Sequence, residues 1–201
     1  MKNLSTEDAN QILAAVGMAI GNWNEIVDSK IPTSEMKWTN YQAPSVSREL
    51  FCFSRHVAGW LPNGDWKLLQ LDNSNDLDAN KESLLTQLLF GANSLPSHTQ
   101  SRSFLFHRSS RDAPDINDLI VANLIHALLL IEGFGYFVSS GSNQGQRLGI
   151  QDGVIYFVAR DEKSIEDAKA LLEGFESDPN ALPPWVTDLI AAGQEGIAGR
   201  P

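Results

Sequence analysis

The longest apolar segment of the chain runs from Leu119 to Ile131 and is interrupted only by Asn123 and His126. A segment that is hydrophobic on every side is typical of a helix buried in the core of a protein. This one is shorter than the ~20 residues that a helix needs to cross a bilayer. The pattern therefore predicts a buried central helix that begins near Asp115, and it predicts no membrane span.

Two apolar segments further along, at 147–151 and 154–159, are predicted as β-strands. They flank Asp152 and Gly153, a preferred two-residue hairpin turn because both of its central positions favour a positive φ. A third strand is predicted at 136–140. Together the three strands form an antiparallel meander.

Helical periodicity appears in three further places. Ser5 stands where a capping box would place the N-cap residue, and the apolar residues behind it predict a helix over 6–27. Between Val46 and Trp60 the apolar residues recur at steps of four and three, which predicts a second helix. Another helix is predicted to begin at Ser164. The remaining predicted elements are strands at 65–72 and 103–107, helices at 81–90 and near 185–193, and a loop over 28–44.

Helices and strands intermix along the chain, and the clearest strand pair is antiparallel. This arrangement indicates the α+β class, with an antiparallel or mixed sheet of about five strands covered by helices around the buried central helix. A length of 201 residues favours one domain. We predict a single domain over 1–193 and a flexible C-terminal tail over 194–201.

Charge and cysteine content narrow the functional classes. The chain has 25 acidic and 15 basic residues, a net charge of −10, which disfavours binding to nucleic-acid phosphates and favours a basic partner. Its one cysteine, Cys52, permits no internal disulfide and is typical of a reducing compartment. The N-terminal residues lack the apolar run of a signal peptide. We therefore expect a soluble, cytoplasmic protein.

Two polar loops carry the predicted ligand site. One follows the strand at 136–140 and contains glycines, hydroxyls, amides and a cation; the other follows the strand at 65–72. Loops beyond strand ends commonly bind ligands, and these two meet only if their strands run parallel. The candidate binding residues are Asp72, Asn73, Ser139, Ser140, Ser142, Asn143, Gln144 and Arg147.

No residue pattern indicates catalysis, a metal or a cofactor. His126 lies in the central helix and is interpreted as a hydrogen-bonded core histidine, since no second ligand or nucleophile falls at a suitable spacing. Cys52 and His56 are four residues apart, but apolar neighbours disfavour a reactive thiolate. The acidic segment 72–78 lacks the glycine and glutamate of a calcium loop. A basic cluster is interpreted as a solvated loop that balances local charge; it comprises Arg102, His107, Arg108 and Arg111.

Two functions from different classes follow. The first is a non-enzymatic binding protein, an inhibitor, immunity or adaptor type of module that covers a basic protein partner, because acidic surfaces accelerate association with basic ones. The alternative is a small-molecule-binding protein or an enzyme whose site is formed by loops 72–75 and 139–147. Self-association through exposed aromatic residues is a third hypothesis.

Overall fold

The computed structural model describes residues 2–22, 24–44, 47–71, 103–107 and 116–176, and of residues 47, 48, 116–118 and 174–176 it describes the backbone. The helices predicted at 81–90 and near 185–193, the C-terminal tail, Asp72, Asn73 and three residues of the basic cluster lie outside the described residues. The described helices are α1 Thr6–Ala14, α2 Ser47–Trp60, α3 Ile116–Leu130 and α4 Glu162–Glu176. The described strands are β1 Lys2–Leu4, β2 Met18–Ile20, β3 Ile26–Asp28, β4 Lys37–Gln42, β5 Trp66–Leu71, β6 Ser103–His107, β7 Gly135–Ser139, β8 Arg147–Gln151 and β9 Val154–Ala159.

Seven of these strands form one antiparallel sheet in the order β1-β6-β5-β7-β8-β9-β4, and β2 pairs with β3 in a separate two-stranded hairpin. The α+β class is therefore confirmed, with a larger sheet than the five strands predicted. The meander of β7, β8 and β9 is also confirmed. Its hairpin turn has Asp152 at φ 49° and Gly153 at φ 76°, as the two-residue turn requires.

The core face of the sheet is covered by α2, α3 and α4. Large side chains that alternate along the strands point to this face, among them Phe104, Phe137 and Phe157, and all three are fully buried. Helix α3 supplies several residues of this cluster, among them Leu124 and Leu128, whereas Leu119 and Leu130 on its other side are 47% and 53% exposed. The indole N–H of Trp60 in α2 donates to the Ser164 carbonyl at 3.0 Å, which joins α2 to α4.

The opposite face, called the hairpin face below, is covered by α1 and the β2–β3 hairpin. Leu68, Leu105 and Val138 point from the sheet to this side and pack against Leu13 of α1 and Ile26 of the hairpin. This cover extends over the β5, β6 and β7 part of the sheet. The residues of β8 and β9 on the same face lie beside the hairpin, and the candidate site is there.

The predicted helix over 6–27 is wrong beyond Ala14. Its start is confirmed, because the Ser5 hydroxyl accepts the Asp8 N–H at 3.1 Å. The chain then leaves the helix at Gly17, which has φ 73°, a conformation that glycine adopts without steric cost. The Ile20 N–H donates to Asn10 Oδ1 at 2.8 Å, so β2 turns back along the helix it follows.

The predicted loop over 28–44 is also wrong in part, because residues 37–42 form β4. Among the described strands it pairs with β9 only and lies at one edge of the sheet. Thr39 and Tyr41 face the core side and Tyr41 packs on Phe53, whereas Trp38 is 61% exposed. Lys37, Asn40 and Gln42 are exposed, so the apolar periodicity of β4 is weak in the sequence.

Candidate functional site

A pocket of about 260 Å³ opens on the hairpin face, between strands β7, β8 and β9 and the β2–β3 hairpin. Its apolar wall is formed by Ile26 and Val27 of the hairpin and by Val158 of β9. Its volume is just below the ~300–1,000 Å³ of most ligand pockets. The polar side chains of the lining are Glu25, Thr33, Tyr136, Arg147, Gln151 and Tyr156.

One row of residues across the sheet forms the floor of the pocket. In the strand register Tyr136 lies opposite Gly149, and Gly149 lies opposite Tyr156. All three point to the hairpin face, because Leu148 and Ile150 on either side of Gly149 point into the core. Gly149 is buried, and the Tyr136 ring packs 3.4 Å from the position that a Cβ on Gly149 would take.

Arg147 supplies the positive charge of the pocket. It is only 4% exposed, and its Nη1 reaches the Gly145 carbonyl at a long 3.4 Å. Among the residues that the structure describes, no carboxylate is within ion-pair distance of its guanidinium. Burial lowers the pKa of Arg147 and the nearby Asp28 charge acts to raise it; the arginine remains a cation at neutral pH.

Asp28 is the nearby carboxylate, and its hydrogen bonds go to other groups. Arg160 Nε lies 2.6 Å from Asp28 Oδ2, while Oδ1 accepts the backbone N–H groups of Lys30 at 2.8 Å and Ile31 at 3.0 Å. Burial acts to raise the pKa of Asp28, but these hydrogen bonds and the Arg160 charge hold it below its ordinary value. The carboxylate is thus ionised and saturated, and it neutralises Arg160 more directly than Arg147.

The same ion pair fixes the β2–β3 hairpin to the sheet. Asp28 ends β3, and Arg160 follows β9. Arg160 also donates from Nη1 to the Asn143 carbonyl at 3.0 Å and from Nη2 to the Gly17 carbonyl at 3.5 Å. The guanidinium of Arg160 therefore links the residues where the chain enters and leaves the hairpin to the β7–β8 loop. These contacts hold the hairpin wall of the pocket over its floor.

The serines predicted as ligand-binding residues are engaged within the fold. The Ser139 hydroxyl donates to the Pro62 carbonyl and accepts the Gly141 N–H at 3.0 Å. The Ser140 hydroxyl accepts the Asp65 N–H at 2.7 Å, and the Ser142 hydroxyl accepts the Ser139 N–H at 3.2 Å. These bonds tie the β7–β8 loop to the segment that leads into β5, and none of the three serines lines the pocket.

Asn143 and Gln144 are exposed at the tip of the β7–β8 loop. Their backbone carbonyls accept from Arg160, and their side chains do not line the pocket. Of the six candidate residues in this loop and at the start of β8, only Arg147 contributes to the pocket, and it does so from the first position of β8.

The two predicted loops could form one site only if their strands ran parallel, and the strands do not. Strand β5 pairs with β7 antiparallel, so Lys67 lies opposite Ser139 and Leu71 lies opposite Gly135. The end of β5 at Leu71 is therefore beside the start of β7, away from the loop at its far end. Asp72 and Asn73 themselves lie outside the described residues.

Sequence reasoning missed Tyr136, Gly149, Gln151 and Tyr156. One signal was present in β8, where Arg147, Gly149 and Gln151 alternate with Leu148 and Ile150. Such an alternation is typical of a strand with one face packed on the core and the other face accessible to solvent or to a ligand. This alternation does not show which residues of the neighbouring strands lie beside Gly149, because that depends on the register of strand pairing.

The other candidate groups do not assemble into a site. In the described part of the chain, no three histidine, cysteine or acidic side chains come together to hold a metal. Cys52 is buried in α2. His126 is half-buried with its ring 5.7 Å from that of Phe51, edge to face, and its Nε2 is buried without a hydrogen-bond partner. It is therefore not the fully hydrogen-bonded core histidine that the sequence predicts.

Comparison with protein-family models, with curated proteins and with solved structures finds no match to this chain. Within the described ranges, no helix is both long and apolar enough to cross a membrane.

Proposed function

We propose that this protein binds a small anionic molecule in the pocket between the β2–β3 hairpin and strands β7–β9. The observation that carries the proposal is Arg147, a residue that is 4% exposed and lines the pocket, while the nearby carboxylate of Asp28 is engaged by Arg160. A planar guanidinium with free donors is suited to bind a carboxylate or phosphate through two parallel hydrogen bonds.

The energetics of burial support an anionic ligand. A buried charge without a partner at contact distance lowers stability, because it has lost its hydration without gaining an ion pair. An anion that enters the pocket would supply that partner. The interaction would be stronger than at the surface, since the low dielectric of a buried site screens charges less.

The other residues that line the pocket favour binding of a ligand over its chemical conversion. Tyr156, Thr33 and Gln151 carry hydroxyl and amide groups that can donate to or accept from a bound molecule. We therefore propose binding as the activity, which is the small-molecule alternative predicted from the sequence at a different location.

The test is a comparison of anion binding by two variants that lose the same charge. Arg147→Met removes the buried guanidinium and keeps an unbranched side chain of similar length, while Lys169→Met removes an exposed positive charge on α4. Isothermal calorimetry with sodium benzoate, acetate and phosphate should show binding by the wild type and by Lys169→Met, and a loss of about tenfold or more for Arg147→Met. Equal affinity in both variants would refute the proposal.

A second candidate is the basic protein partner expected from the charge. Its specific support is Trp38, which is 61% exposed on the edge strand β4, because tryptophan is enriched at the centres of protein interfaces. The net charge of −10 would steer a basic partner toward the molecule.

This second function is tested by affinity capture from lysate at low salt. The captured protein should be basic, should elute as salt is raised, and should be lost with Trp38→Ser. Capture that is unaffected by salt and by Trp38→Ser would contradict it.

A further inference from the structure

We infer that strand β4 binds a basic, extended segment of a partner protein as an added strand of the sheet. This binding mode rests on the second candidate function, the basic protein partner, and adds the surface and the secondary structure through which that partner binds. It follows from the length of β4 as an edge strand, the direction of its backbone groups, its exposed tryptophan and the charge of the helix packed beside it.

The two edges of the described sheet differ in length. At one edge β1 has three residues, whereas at the other β4 has six, and all six are in register with β9. Proteins protect edge strands from pairing with other chains by shortness, proline, bulges or inward charges. Strand β4 contains no proline and no break in its register, and its one charged residue is Lys37 at the first position. It is therefore the described edge that is better suited to pair with another strand.

The backbone of β4 directs alternate residues to the open edge. Ala43 N–H donates to the Gly153 carbonyl at 3.0 Å, one step beyond the last pair of the β4–β9 register. Hydrogen-bonded and non-hydrogen-bonded pairs alternate along an antiparallel ladder, so the backbone groups of Trp38, Asn40 and Gln42 point away from β9. Among the described strands, none pairs with that edge. Three N–H and three carbonyl groups thus face the position that an added strand would take.

Trp38 offers an apolar contact beside these backbone groups. It lies opposite Val158 in the register, on the hairpin face, and 61% of it is exposed. Side chains that are opposite each other on paired strands contact each other, so an apolar residue of an added strand would cover part of the Trp38 ring. Tryptophan is among the residues whose burial contributes most to binding at protein interfaces.

The charge near this edge favours a basic segment over a second copy of the chain. Helix α4 packs on β4 and β9, and its exposed charged residues include two lysines, Lys163 and Lys169. Its exposed acidic residues are Glu162, Glu166, Asp167 and Glu173. The whole chain carries a net charge of −10, so two copies repel each other, whereas a segment with lysine or arginine is attracted.

Asn40→Pro gives a variant that blocks an added strand and leaves the β4–β9 pairing in place. Proline is tolerated on an edge strand where the N–H that it removes points away from the sheet, as that of Asn40 does. Asn40→Ala is the matched control, because it removes the same exposed side chain and keeps the N–H. The probes are the fluorescein-labelled, end-capped peptide TKVKVKT and its acidic counterpart TEVEVET, with thermal unfolding as the check on folding.

Fluorescence anisotropy at low salt should show that the wild type and Asn40→Ala bind TKVKVKT with affinities within about twofold of each other. Asn40→Pro should bind it about tenfold or more weakly, and the wild type should bind TEVEVET about tenfold or more weakly than TKVKVKT. In the wild type, TKVKVKT should slow amide hydrogen exchange at Trp38, Asn40 and Gln42, because these three N–H groups become hydrogen-bonded. The exchange measurement needs no variant.

Equal binding of TKVKVKT by Asn40→Pro and the wild type, no binding by the wild type, or unchanged exchange at Trp38 and Gln42 would overturn the added strand. Capture of a basic protein that depends on salt and on Trp38 would then leave the partner function standing. A wild-type dimer in light scattering that becomes a monomer in Asn40→Pro, without peptide binding, would assign the edge to a second copy and overturn the basic segment.

Discussion

Arg147 and Arg160 are two guanidinium groups that face one carboxylate, and only Arg160 contacts it. Arg160 Nε lies 2.6 Å from Asp28, whose side chain is fully buried. Arg147 is also buried but donates only to a carbonyl, at 3.4 Å. The two residues carry the same charge, but only Arg160 has an ion-pair partner. Their removal should therefore affect stability differently.

Arg160→Met should lower the free energy of unfolding by about 2–3 kcal/mol, because Asp28 would keep its buried charge with only backbone donors. Arg147→Met should leave it unchanged or raise it by about 1 kcal/mol, because an apolar side chain replaces a buried charge without a contact partner. Urea denaturation at neutral pH measures both. A loss of stability in Arg147→Met as large as in Arg160→Met would show that Arg147 stabilises the empty protein.

We expect His126 to make the stability of the protein depend on pH. Burial lowers its pKa below the ordinary 6.5, so the folded protein takes up the proton at a lower pH than the unfolded chain. As pH falls below 6.5 the unfolded state binds more protons, and stability decreases until the folded-state pKa is reached. His56, whose pKa is lowered by burial and by Arg55, contributes in the same direction.

His126→Leu should therefore remove part of the acid sensitivity. At pH 7.5 the variant should be about 1 kcal/mol more stable, because the buried Nε2 without a partner is replaced by an apolar group. Between pH 7.5 and 5.5 it should lose less stability than the wild type. An identical slope of unfolding free energy against pH would show that His126 does not titrate differently in the folded state.

The boundary between α1 and the β2–β3 hairpin depends on Gly17. Its φ of 73° disfavours any residue with a side chain, and an added Cβ would lie 2.9 Å from Arg160 Nη2. Gly17→Ala should cost about 1–2 kcal/mol of stability. Gly59→Ala, in the exposed part of α2, should instead add about 0.5–1 kcal/mol. Thermal unfolding distinguishes the two, and equal shifts would contradict the assigned turn.

Elements that bury one face strongly could be predicted from the sequence, and the others could not. Helices α2 and α3 and strands β8 and β9 carry many core residues, so their periodicity exceeds local noise. The short strands β2 and β3 have three residues each, and their apolar positions coincide with the helical spacing that continues from α1. The polar edge strand β4 has one face toward solvent, so only its other face contributes to an apolar pattern in the sequence.

The position of the site is a property of the whole sheet. Arg147 was predicted as a ligand-binding residue from a loop, but its partners Tyr136 and Tyr156 are placed by the register of β7, β8 and β9. The opposite wall comes from β3, more than a hundred residues earlier in the chain. Neither the register nor the antiparallel direction of β5 and β7 can be obtained from residue periodicity, since both are set by pairing between distant segments.

Because the pocket joins the start of the chain to its last third, a bound ligand should hold these parts together. Amide hydrogen exchange in β2 and β3 should slow when benzoate is added, since opening of the hairpin would break the wall formed by Ile26 and Val27. At a benzoate concentration of about 100 times Kd, exchange through that opening should slow by about 100-fold. The amides of β1, at the far edge of the sheet, provide the internal control. Arg147→Met should show no ligand-dependent change, and unchanged hairpin exchange in wild-type protein that binds benzoate would place the ligand elsewhere.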